Sequence, residues 1–77
     1  MPDFTDIQYN LGSAYGRMGG KGISHFYFGK HFKAKGERNS ALLHFKTAQG
    51  LLDRGSRERE EVEREIKELS QSKDPRK

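Results

Sequence analysis

Three histidines, His25, His31 and His44, are the side chains here that most readily suggest chemistry. A metal site needs several imidazoles, thiolates or carboxylates converging on one point, and on a helix that means histidines four apart. No two of these are so spaced on one helix, and there is no cysteine. Neither a metal nor any other cofactor is expected, and the histidines read as packing or surface residues, with His25 facing an aromatic core. Catalysis would require a nucleophile beside a base, or paired carboxylates in a cleft that raises one pKa. The acids instead concentrate in a solvated segment around Glu58, Glu60 and Glu61, so no enzymatic activity is expected. Gly19-Gly20-Lys21-Gly22 has neither the preceding strand nor the spacing of a phosphate-cradling loop, and reads as a turn. Phe26, Tyr27, Phe28 and Phe32 beside Lys30, Lys33 and Lys35 could stack bases and meet phosphates, although core packing accounts for the aromatics more simply.

The chain that must position these residues is short. Its 77 residues hold one small domain, and with 31% hydrophobic against 34% charged residues the core has to be narrow. The absence of cysteine removes disulfides and leaves the compartment open. The opening MPDFTDIQYN has no basic flank or apolar run of signal length, and no stretch approaches the ~20 apolar residues of a membrane span, so no membrane partner is expected. The abrupt entry into a helical pattern near Phe4 suits a segment cut from a longer protein. A net charge of +4 favours anionic partners by long-range attraction.

Apolar spacing predicts four helices. Phe4, Ile7, Leu11, Ala14, Tyr15 and Met18 recur at three and four residues, the mark of one helix face. The glycines 19, 20 and 22 break that helix. A second, unusually aromatic helix runs from Ile23 to about Lys35 and closes at Gly36. Asn39 is the expected N-cap of a third, with Ala41, Leu42, Phe45, Ala48, Leu51 and Leu52 as its stripe. Gly55 ends the third, and Ser56 caps a fourth whose early glutamates suit the positive end of its dipole. Val62, Ile66 and Leu69 form one thin stripe, expected to cover the exposed edge of helix three. The expected domain is 1–72, with 73–77 a disordered basic tail.

Leu11-Gly12 aligns with Phe28-Gly29, Tyr15 with Phe32, and Gly19 with Gly36, all at one constant offset. That offset is half of a helical-hairpin repeat, in which two antiparallel helices stack on their neighbours. The segment from about Gly22 to Asp53 resembles one tetratricopeptide repeat. Phe28-Gly29 matches its large-apolar-then-glycine pair, Phe32 the following aromatic and Gly36 the turn glycine, while Ala41, Phe45 and Ala48 match its second helix. His25 stands where the family has a large aromatic, and Asp53 where the repeat ends in proline. Together YNLGSAYGRMG, HFYFGKHFKAKG and ALLHFKTA also resemble the C-terminal repeat segment of some bacterial envelope zinc metalloproteases. That resemblance implies an accessory domain in the cell envelope, with no catalytic residue, since the H-E-x-x-H motif is absent.

The expected architecture is therefore all-α: an antiparallel array of tetratricopeptide-like hairpins with a C-terminal capping helix. In such repeats the first helices line a concave surface, which nominates Tyr9, Ser13, Arg17, Phe26, Lys30 and Lys33 as a peptide-binding groove. Lysines and aromatics suit an acidic or carboxylate-bearing peptide. The expected role is a non-catalytic protein-interaction module that binds a peptide or docks to the rest of a larger protein. A basic nucleic-acid-binding module and a purely structural cap are the alternatives. The uncovered face of helix one allows a homodimer.

Overall fold

A computed structural model describes residues 4–71, with side chains from Ile7 onward. The expected basic tail, 73–77, lies outside the described residues. The fold is all-α: α1 (Phe4–Arg17), α2 (Lys21–Ala34), α3 (Arg38–Leu51) and α4 (Arg57–Gln71).

The turns are set by backbone geometry that glycine permits. Gly19 and Gly36 sit at φ 87° and 79°, and each completes the same pair of closing hydrogen bonds. The Gly19 and Gly20 N–H groups donate to Gly16 and Tyr15 carbonyls, as those of Gly36 and Glu37 do to Lys33 and Phe32. These bonds satisfy carbonyls orphaned at a helix end. Gly20 and Glu37 then act directly as N-caps, neither with a side-chain capping bond.

This corrects two expectations. Asn39 lies inside the first turn of α3, because the turn's own backbone bonds let the helix begin at Arg38. Gly22 lies inside α2: its missing side chain makes room for Leu52, which a Cβ there would meet at 3.0 Å. Ser56 does cap α4, its Oγ accepting from the Arg59 N–H at 3.1 Å.

Successive helices run antiparallel. Gly16 and Gly12 of α1 face Ser24 and Phe28 of α2 in turn, and Gly22 and Gly29 of α2 face Leu52, the residue closing α3, and Phe45 within it. Gln49 and Arg38 of α3 reach Glu63 and Leu69 of α4. The closest approach is at Gly29, where a Cβ would lie 2.6 Å from the Phe45 ring. Glycine there lets the fully buried Phe45 fill the α2–α3 seam. Ser24 ties α2 to α1 by donating to the Gly12 carbonyl at 2.7 Å.

The core comprises Phe26, Ala41, Phe45, Ala48 and Val62, with Ile66 and Leu69 packed against it. Burying Phe45 and Val62 completely contributes about 1.5–3 kcal/mol each. α4 thus covers α3 and one side of α2 through the expected stripe. The array is a slab of 43 × 36 × 16 Å, and α1 packs on α2 alone among the described helices. Ile7 and Leu11 of α1, and Met18 just after it, remain exposed.

Candidate interaction surface

α2 presents different residues to each neighbour, and this divides the six residues nominated from sequence. Phe26, Lys30 and Lys33 come together on the side facing α4. Phe26 is buried, and Lys30 Nζ sits 4.8 Å above its ring while pairing with Glu61 at 3.2 Å. Lys33 donates to Glu65 and lies 3.7 Å from Glu68. The hydrogen bond to Glu65 holds the Lys33 ammonium above its ordinary pKa, against the opposing pull of burial. The two lysines are therefore already engaged by carboxylates of the same chain.

Tyr9 lies elsewhere, its ring 5.2 Å from Phe28 and 5.2 Å from His31. Ser13 is half-buried on α1, and Arg17 is exposed in its last turn. The structure does not join these three to Phe26, Lys30 and Lys33 in a single groove.

Tyr9 instead shares a hollow of about 240 Å³ with Phe28, Phe32 and His44, drawn from three successive helices. Phe32 and His44 stack at 5.2 Å with their planes 5° apart, and Phe28 is tilted against His44 at 5.5 Å. Behind them the His25 and His44 Nδ1 atoms lie 2.9 Å apart, one donating and the other accepting. Burial, then the neighbouring His25 and His31, lowers the His44 pKa, so its neutral form is favoured. Two imidazolium ions could not share that contact, because like charges so close repel strongly in a half-buried setting. The hollow is a mostly aromatic concavity with a neutral imidazole in its wall, suited to the face or edge of an apolar side chain.

A wider hollow, about 350 Å³, lies between Arg54-Gly55 and α4, lined by Arg59, Glu60 and Glu63. Two of its four charges are spent on each other. Arg59 pairs with Glu63 at 3.1 Å, and bonds from Arg59 and Gln49 hold the exposed Glu63 carboxyl below its usual pKa.

Phe28, Phe32 and His44 lie outside the nominated groove, which follows the concave face of repeat first helices, whereas these three meet across the α2–α3 seam. The signal available was the antiparallel register: a glycine at 29 opposite a phenylalanine at 45 brings their neighbours Phe28 and His44 together. Among the described residues no cluster of three or more His, Cys, Asp or Glu is arranged to hold a metal ion, and no helix is long and apolar enough to cross a membrane. In comparisons with known proteins, no family model, curated protein or solved structure matches the chain.

Proposed function

We propose that this chain is a non-catalytic protein-interaction module of the tetratricopeptide kind, holding a peptide segment by one apolar or aromatic side chain. The observation that carries the reading is the hollow formed by Tyr9, Phe28, Phe32 and His44. Its volume suits a single large side chain, and Tyr9, 48% exposed, stands where an incoming ring would displace water from apolar surface. Ring walls from three helices are held by the Gly12, Gly29 and Ser24 contacts, so little ordering is needed on binding. Lys30 and Lys33 are satisfied by Glu61 and Glu65, which leaves hydrophobic anchoring, rather than their charge, as the basis for affinity. The same pairing weighs against the nucleic-acid alternative.

Docking to the rest of a larger protein is a second reading. It is favoured by the exposed Ile7 and Leu11 on α1 and Met18 just after it, which a further helix would cover.

Titration of the isotope-labelled chain with p-cresol, indole and acetate tests the hollow. The expected result is shifts at Tyr9, Phe28, Phe32 and His44 with the two aromatic probes, lost in Tyr9→Ala, and none there with acetate. Equal responses to all three probes, or none at these residues, would refute the anchoring site.

A further inference from the structure

The α4-facing side of α2 and α3 is a recognition surface whose ligand is already visible. Its floor is apolar, from Phe26, Ala41, Phe45 and Ala48, and Lys30 and Lys33 stand along its rim. α4 answers with Val62, Ile66 and Leu69 on one face, and the residue before each of these is a glutamate: Glu61, Glu65 and Glu68. The apolar stripe and the acidic row thus run side by side, and the acidic row meets the two lysines. Arg38 Nε donates to the Leu69 carbonyl at 2.8 Å, placing a cation where the helix dipole is negative. The surface therefore reads an acidic amphipathic helix by its apolar spacing, its charge and its C-terminal end.

We propose that this surface also accepts α4 from a second copy of the chain, giving a dimer by reciprocal exchange of the fourth helix. α4 makes no contact with α1, and its tether is the exposed turn Asp53-Arg54-Gly55, with Gly55 at φ 80°. Extending that turn releases α4 while sparing the α1–α2–α3 packing. Every contact between α4 and the α2–α3 surface is remade between copies, so apart from the opened turn the balance is set by the tether's effective concentration, of the order of millimolar for a short linker. Exchange in the native chain is accordingly expected only at comparable protein concentration, and opposite charge reversals on the two faces should bring it into the micromolar range.

The test uses two full-length variants, Lys30→Glu/Lys33→Glu and Glu61→Lys/Glu65→Lys. In each alone, α4 and its own acceptor surface carry like charge. Mixed in equal amounts, each supplies the helix that the other's surface attracts. Light scattering after gel filtration at about 100 µM should give monomers separately and a particle of doubled mass in the mixture, reversed at about 1 M salt where the Debye length is ~3 Å. A mixture that stays monomeric overturns the proposal. Circular dichroism monitors folding, and the milder pair Lys33→Glu with Glu65→Lys serves if either double variant is unfolded. A cysteine pair at Gln49 and Glu63, whose side-chain ends meet at 3.4 Å, bridged by a short bis-methanethiosulfonate reagent, locks α4 onto its own chain. Bridged carriers should lose the doubled particle and regain it on reduction. A dimer that forms despite the lock refutes exchange and points to simple surface association.

Discussion

Replacing Gly29 by alanine puts a methyl group where the Phe45 ring already lies. The added carbon would sit 2.6, 2.7 and 2.9 Å from ring atoms Cε1, Cδ1 and Cζ, well inside van der Waals contact. Phe45 is fully buried between Ala41, Ala48 and Val62, so the ring has no free volume to move into and the helices must separate. Overpacking of this kind costs about 1–3 kcal/mol. Alanine's better helix propensity returns up to ~1 kcal/mol, leaving a net loss of roughly 0–2 kcal/mol. Gly50 is the internal control. It also lies in a helix, but a Cβ there meets nothing within 4 Å, so Gly50→Ala should gain about 0.5–1 kcal/mol from propensity alone. Urea and thermal unfolding followed by far-ultraviolet dichroism measure both. At ~4–8 °C per kcal/mol for a domain of this size, the two melting temperatures should differ by about 10 °C. A Gly29→Ala protein as stable as Gly50→Ala would refute close approach at this seam.

Ser24→Ala removes the hydroxyl that joins α2 to the Gly12 carbonyl and should cost about 1 kcal/mol, measured in the same urea series. Ser56→Ala should cost a similar ~1 kcal/mol by uncapping α4, with the helical signal of α4 amides fading first by NMR. The lowered His44 pKa fixes the sign of a pH effect. Above the ordinary imidazole value of 6.5 both folded and unfolded chains hold this residue neutral, so it makes no difference to stability. As pH falls below 6.5 the unfolded chain takes up the proton first, and stability declines until the folded form protonates too. Thermal melts between pH 8 and 4.5 should show that decline beginning near 6.5 and reduced in His44→Phe, which keeps the stack on Phe32. An unchanged profile in that variant would assign the acid sensitivity to other groups.

The parts of the fold legible in sequence were those governed by local chemistry. Gly19, Gly36 and Gly55 announced their turns because only glycine adopts positive φ freely, and the apolar stripes of α3 and α4 announced those helices because burial imposes their period. Asn39 misled, since a capping side chain is redundant where the preceding glycine turn already delivers the backbone into a helix. Gly22 misled for the opposite reason: it is a contact glycine, and sequence does not distinguish the space a neighbour needs from the freedom a turn needs. The six nominated residues divide at Lys30 and Lys33, which pair with α4. Their basic character was plain, but their pairing with Glu61 and Glu65 depends on where α4 folds back, which no spacing within α2 encodes. The His25–His44 contact was hidden in the same way, being made across a seam rather than along a helix.

A slab only 16 Å thick, with each helix leaning mainly on its chain neighbours, unfolds from its margins. α2 alone touches three other helices, whereas α1 is held by one. Amide hydrogens should accordingly exchange with deuterium in a spatial gradient, fastest in α1 and slowest in α2. Detachment of α1 would leave α2, α3 and α4 packed, so its amides should open by a partial event less sensitive to urea than global unfolding. In that respect the protein behaves as a short one-dimensional polymer, whose outermost link is in continual exchange with solvent while its central one records the stability of the whole.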